Sequence, residues 1–273
     1  MSKFSDLVPR LIAALIGAFI IISSLIVSPW AYFVVFLVIS FMTQWEFYRL
    51  LRMKSYIPLR PLGVAVGVIL FVLSFVIESG RLSHKYYLIL LPLASLIFFF
   101  KLYKKTDSTP FINIGFYYLG IVYVALPFAI LNHAVFMFDD YSYEVVVGLL
   151  FTIWASDVGA YFAGSMFGKT KLFERISPKK SWEGSIGGAV LAAVFAHLNS
   201  LVLTDLALWQ WLTISAIVVI VGTYGDLVES LFKRTMAIKD SGKSIPGHGG
   251  FLDRFDSLIL SIPFIIVFLE LFK

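Results

Sequence analysis

Cysteine is absent from the 273 residues, which excludes a disulfide framework and any thiolate metal site and leaves the redox compartment unspecified. Charge is scarce as well. Only 14% of the chain is Asp, Glu, Lys or Arg, against roughly 25% in soluble domains. Runs of alternating apolar and polar residues are also missing, which argues against a membrane β-barrel. What remains is apolar: 59% hydrophobic residues and a mean hydropathy of +0.89. Such a chain is a membrane protein, and its long continuous apolar stretches are suited to spanning as helices, which satisfy their backbone polar groups internally.

A span needs ~20 mostly apolar residues. Nine stretches qualify, at about 9–27, 30–50, 61–78, 86–103, 113–136, 144–168, 182–204, 206–232 and 254–272. The first follows Lys3 and Arg10 but lacks a convincing small-residue cleavage site, so it is expected to be a retained span. With the N-terminus inside, 19 of the 22 Lys and Arg fall on the cytoplasmic side, and the connection after the fifth span is acidic through Asp139, Asp140 and Glu144. That asymmetry predicts an all-α polytopic protein with a cytoplasmic N-terminus and an outside C-terminus.

Two cytoplasmic segments, 168–183 and 233–254, are long and rich in Gly, Lys, Asp and Ser. Connections of that length are usually functional or disordered. The first half carries almost no ionisable residue within its spans. The expected organisation is therefore residues 1–140 as a scaffold or oligomer-contact region and residues 141–273 as a catalytic region.

Two stretches imitate a phosphate loop: "AGSMFGKT" (163–170) and "SGKS" (241–244). The pattern requires glycine at the positions held by Ala163 and Ala237, and a preceding strand. Both are rejected. Ala160, Gly164 and Gly168 instead form a small-residue stripe suited to close helix packing. Asp157 lies mid-span, where a carboxylate costs on the order of 2.5–3.5 kcal/mol on insertion scales. It is either functional or a hydrogen-bonded structural acid, for example facing Tyr161.

In "SPKKSWEGSIGG" (177–188), Ser177 can cap a helix and Pro178 suits its first position. Lys179 and Lys180 would then stand in the first helical turn, the unfavourable end for cations. A bound phosphate would resolve that conflict; an ordinary positive-inside flank is the plainer alternative. In "GDLVESLFKR" (225–234), Asp226, Glu229 and Lys233 share one helical face. The Glu229–Lys233 spacing is a stabilising i,i+4 pair, which leaves Asp226 unexplained. In "GHGGFLDRFDS" (247–257), Asp253 and Asp256 share a face near the start of the last helix. The dipole accounts for one of these acids. The eighth span descends to the cytoplasm and the ninth rises from it, so Asp226 can converge with them. Three carboxylates repel unless neutralised, and a hard cation such as Mg²⁺ prefers oxygen ligands. The neighbouring glycines suit close approach of phosphate to backbone N–H groups. His248 could ligate a metal, donate to phosphate or satisfy a loop carbonyl; His197 fits a structural role.

"SLFKRTMAIKDSGKSIPGHGGFLDRFDS" (230–257) closely resembles the signature of the phosphatidate cytidylyltransferases, with "SDVGAYFAGSMFGKTKL" and "SPKKSWEGSIGG" in support. No departure occurs at Ser230, Lys233, Arg234, Lys239, Asp240, Pro246, His248, Gly249, Gly250, Asp253, Arg254 or Asp256. The match covers about residues 150–260; the first half resembles the family only as a helical scaffold. The resemblance implies a homodimeric enzyme of the bacterial inner membrane, active at the cytoplasmic side, with no nucleic-acid partner. It would convert CTP and phosphatidic acid to CDP-diacylglycerol and pyrophosphate with Mg²⁺.

On that basis Asp226, Asp253 and Asp256 are expected to hold one or two metal ions, with Lys233 and Arg234 at the reacting phosphates. Substrate contacts are expected from Ser177, Lys179, Lys180, Lys239, Asp240, His248, Gly249, Gly250 and Arg254. Asp157 would line lipid access or add a ligand. An intramembrane prenyltransferase would want two Asp-rich clusters, where this chain has basic "SPKK". An ion-coupled transporter would want interrupted helices in corresponding halves. A CDP-alcohol phosphotransferase would want an Asp-Gly and Ala-Arg pattern that is absent.

Overall fold

A computed structural model of the chain describes residues 7–53, 59–105, 107–138, 140–238, 241–242 and 249–272, with side chains except at 7–11 and 53. Lys239, Asp240 and His248 of the expected site therefore lie outside the described residues. The helices are α1 (Leu7–Val27), α2 (Pro29–Met53), α3 (Arg60–Glu78), α4 (Leu90–Tyr103, preceded by a 3₁₀ segment His84–Ile89), α5 (Pro110–Phe136), α6 (Glu144–Phe167), α7 (Trp182–Val202), α8 (Leu208–Thr235) and α9 (Leu252–Phe272). Each falls on an expected apolar stretch.

Among the described residues, eight helical segments are long and apolar enough to cross a membrane; in α1 the described apolar part is the shorter segment Ile12–Val27. The protein is an all-α polytopic membrane protein. One small addition is a two-stranded antiparallel sheet of β1 (Lys171–Phe173) and β2 (Ser177–Ser181) between α6 and α7.

The hairpin corrects the expected start of the seventh helix. Ser177 opens β2 and pairs with Phe173, while Lys171 pairs with Ser181. The cap is Ser181, whose Oγ accepts from Gly184 N at 3.1 Å. Both serines are competent caps, and the second wins on charge. Starting at Trp182 puts Glu183 in the first turn, where the dipole favours an acid, and leaves Lys179 and Lys180 outside it. Glu183 also accepts from the backbone N–H groups of Lys169 (3.2 Å) and Thr170 (3.1 Å), tying the hairpin to the helix.

The chain divides into two compact units: Met1–Phe136 with Asp240–Arg254, and Met137–Lys239 with Phe255–Lys273. The second half of the long 233–254 segment thus belongs to the first unit, although the sequence division places it with the C-terminal region. Helix α9 passes from one unit to the other after Arg254.

The first unit has an aromatic core that includes Tyr32, Phe36, Phe47, Tyr48, Phe71, Phe75 and Phe128, each under 2% exposed. Helix α5 contains a π turn at Gly120–Ala125, which takes backbone carbonyls out of the regular ladder. Side chains of α2 occupy that region. The Tyr48 hydroxyl donates to Tyr117 O at 2.6 Å, and Gln44 Nε2 donates to Gly120 O and Gly63 O, both at 3.1 Å. A Cβ on Gly63 or Gly120 would overlap the Tyr48 ring. Deeper in the unit, Asn132 accepts from the Tyr32 hydroxyl at 2.9 Å and donates to Phe71 O at 3.0 Å and Ser74 Oγ at 2.6 Å.

The second unit is held by close apposition of α6 and α7. The small-residue stripe of α6 performs the packing expected of it: Gly164 lies against Gly184, where a Cβ would meet Ala160 O at 3.0 Å. Such approach maximises dispersion contact where no hydrophobic drive exists between lipid-bathed helices. A π turn at Val218–Gly222 interrupts α8, and Ser257 Oγ of α9 donates to Gly222 O at 3.2 Å.

Candidate active site

The second unit contains a cavity of about 290 Å³ at the junction of α6, β2, α7, α8 and α9. Its wall carries four of the expected site residues: Asp157 from α6, Lys179 and Lys180 from β2, and Asp226 from α8. Gly164, Gly184 and Gly222 also line it. Small residues thus hold the helices together and leave room beside the charged groups.

Lys180 crosses from the hairpin to α8. Its Nζ stands 2.7 Å from Asp226 Oδ2 and donates to Thr223 O at 3.3 Å. Asp226 is 38% exposed in its side chain and also accepts from Ser230 Oγ at 3.2 Å. The β2 strand is what brings this ammonium group to bear. In a helical first turn, Lys180 would follow the α7 axis instead.

Beneath the cavity wall, Asp226, Glu229 and Asp256 each offer a carboxylate oxygen, all within 4.8 Å of one another. Glu229 is fully buried and stands 2.6 Å from Lys233 Nζ. Asp256 accepts from Ser257 N at 2.6 Å. Lysine ammonium groups stand beside two of these three acids. Oxygen-only donors of this type fit a hard divalent cation. Sequence reasoning assigned Glu229 to its lysine pair alone. Its i,i+3 spacing from Asp226 was the available signal, masked by an adequate structural explanation.

Asp253 belongs to the first unit. Its Oδ2 accepts from Ser241 N (3.1 Å), Ser241 Oγ (3.0 Å) and Gly250 N (2.9 Å). Gly249 adopts φ +82°, and a Cβ there would run into Asp253 Oδ2 at 2.5 Å. Glycine is required at 249 on both counts. Arg234 and Arg254 are exposed, and Ser177 is half-buried at the start of β2.

A family model described as the cytidylyltransferase family matches residues 8–272. The phosphatidate cytidylyltransferase of Bacillus subtilis is 34% identical over 276 residues, covering 98% of this chain and 99% of the relative. That of Haemophilus influenzae is 32% identical over 243 residues, covering 82% and 84%. That of Pseudomonas aeruginosa is 45% identical over 121 residues, covering 44% and 45%.

Proposed function

The chain belongs to the cytidylyltransferase family, and from that premise we propose that it transfers the cytidylyl group of CTP to phosphatidic acid, releasing pyrophosphate and leaving CDP-diacylglycerol. The observation that carries the proposal is the cavity in which Lys179, Lys180, Asp157 and Asp226 meet within a membrane-spanning unit. Anionic substrates need cations there, and Lys179 and Lys180 supply them. The names of the relatives supply the lipid and the nucleotide.

The reaction joins two polyanions. An oxygen of the lipid phosphate attacks the α-phosphorus of CTP, and the bond from that phosphorus to the bridging oxygen of pyrophosphate breaks. A phosphate whose second pKa is near 6 is already a nucleophile at neutral pH and needs little base assistance. Positioning and charge neutralisation are therefore the main tasks of the protein. Lys180 and Lys179 neutralise phosphate oxygens entering the cavity. Asp226, Glu229 and Asp256 would hold a divalent ion, Mg²⁺ by donor type, which would supply polarisation of the α-phosphate and charge for the departing pyrophosphate. Ser230 holds Asp226 in orientation. Asp157 contributes either a further oxygen or a polar wall facing the lipid.

Ser177, Lys233, Arg234, Lys239, Asp240, His248, Gly249, Gly250 and Arg254 are assigned to substrate phosphates and nucleotide by the resemblance, which assigns Asp253 to the metal site. The first unit is assigned to scaffold and homodimer contact, and the active face to the cytoplasmic side of a bacterial inner membrane. The family match gives no support to a prenyltransferase or a transporter.

Incubating the purified protein with CTP labelled at the α-phosphate and with phosphatidic acid tests the proposal. Label should pass into chloroform-soluble lipid only when a divalent ion is present. Label transferred to a prenyl alcohol, or none to any lipid, would refute it.

A further inference from the structure

Glu183 of α7 lines neither the cavity nor the acid cluster, yet its carboxylate is turned out of its own helix. Oε2 accepts from Lys169 N at 3.2 Å, and Thr170 N donates to Oε1 at 3.1 Å and to Oε2 at 3.2 Å. An acid in a first turn gains from the dipole with its side chain in water. It needs no partner 13 or 14 residues back in the chain. Two successive backbone N–H groups converging on one carboxylate make an anion-binding nest instead.

Those N–H groups belong to the residues that leave α6 and enter β1. Beside them Trp182 N donates to Thr170 O at 2.9 Å. Together these bonds close the base of the β1–β2 hairpin, whose pairing is irregular between Lys171 and Phe173. A two-stranded hairpin is marginal by itself, and the one buried apolar side chain of this hairpin is Ile176. Its second strand carries both lysines of the cavity wall. Lys180 reaches Thr223 O and Asp226 on α8 from a strand whose end is fixed by Ser181 and Glu183.

We propose that Glu183 is a positioning residue, which clamps the base of the hairpin and so aims Lys179 and Lys180 at the substrate phosphate in the cavity. The proposal rests on the assignment of that cavity to phosphate substrates. Glu183 touches no reacting atom; it acts through the backbone of Lys169 and Thr170. Phosphatidic acid and CTP both carry the chemistry that the two lysines recognise, and the substrate concerned is identified by the Lys180 variant below.

The test compares wild type, Glu183→Ala, Glu183→Gln, Lys180→Ala and the double variant Glu183→Ala/Lys180→Ala in lipid nanodiscs. Amide hydrogen exchange should rise in peptides covering 169–181 of Glu183→Ala, while α8 and α9 keep wild-type protection. Lys180→Ala shows which KM, for CTP or for phosphatidic acid, depends on the ammonium group. Glu183→Ala should raise that same KM roughly tenfold, the scale expected when a positioning contact is lost. In the Lys180→Ala background the same change should cost far less, because two residues that act through one contact are not additive. Glu183→Gln keeps one acceptor oxygen for the two N–H groups and should fall between wild type and Glu183→Ala. It carries the same comparisons, with a smaller shift, if Glu183→Ala does not accumulate in the membrane.

Unchanged exchange at 169–181, with wild-type lipid labelling intact, would overturn the clamp alone. So would a rise in the KM that Lys180→Ala leaves untouched, additive losses in the double variant, or a Glu183→Gln protein no better than Glu183→Ala. No lipid labelling by wild type would overturn the functional assignment and with it the aiming of the lysines.

Discussion

The two units use buried polarity differently. In the first, Tyr32, Gln44, Tyr48, Ser74 and Asn132 meet one another or backbone carbonyls in neutral hydrogen bonds, and the buried Lys101 is paired with Asp107. In the second, charged groups from a strand and two helices gather around a cavity. Closed networks hold a fold together. Charged groups lining an open cavity can hold a ligand. Substitutions in the two units should accordingly separate stability from chemistry.

The largest effect is expected at Asp226, which belongs to both the cavity wall and the acid cluster. Asp226→Asn should lower kcat by roughly 10²–10³-fold, the scale for losing one electrostatic stabiliser, with little change in melting temperature. Activity within a factor of a few of wild type would remove Asp226 from the site. Lys180→Ala comes next. Losing a charge-assisted contact to a substrate phosphate is worth about 1.5–3 kcal/mol, or roughly 10–100-fold in kcat/KM. An unaffected value would make Lys180 a plain partner of Asp226.

Crossing to the first unit reverses the pattern. Asn132→Ala removes the bonds to the Tyr32 hydroxyl, Phe71 O and Ser74 Oγ, and should cost about 1–2 kcal/mol of stability. That appears as a lower melting temperature in detergent with kcat unchanged. A loss of turnover without a loss of stability would dissolve the distinction between the units.

The smallest effect concerns acid. Burial pushes the Asp107 carboxyl up, but bonds from Lys101, Thr109 N and Asn113 outweigh it and hold the group below the usual carboxylate range. A folded-state pKa below the unfolded value stabilises the fold above the unfolded pKa of about 4, and that contribution is lost as pH falls through the folded value. Melting temperature should therefore fall on acidification below about pH 4, and Asp107→Asn should blunt that fall. An identical acid response in the variant would show that the carboxylate carries no such linkage.

Helix positions were legible because each apolar run is long and bounded by polar loops, so composition alone places them. The meeting of Asp226 and Asp256 was legible too, since antiparallel neighbours bring their cytoplasmic ends together. The hairpin was not. Ser-Pro at 177–178 and Ser181 are both good helix starts, and only the tertiary bonds of Glu183 and the strand pairing decide between them. The buried Glu46 was not legible for a different reason: its bond from Leu252 N spans 206 residues. Separations of that kind leave no local pattern.

The most direct test is a divalent-ion titration of lipid labelling from α-labelled CTP, run on wild type and on Asp256→Asn. Wild type should saturate with Mg²⁺, and the variant should show a strongly raised requirement or no labelling at all. Equal labelling by both proteins at every concentration would contradict the claim that the clustered carboxylates of α8 and α9 serve the transfer.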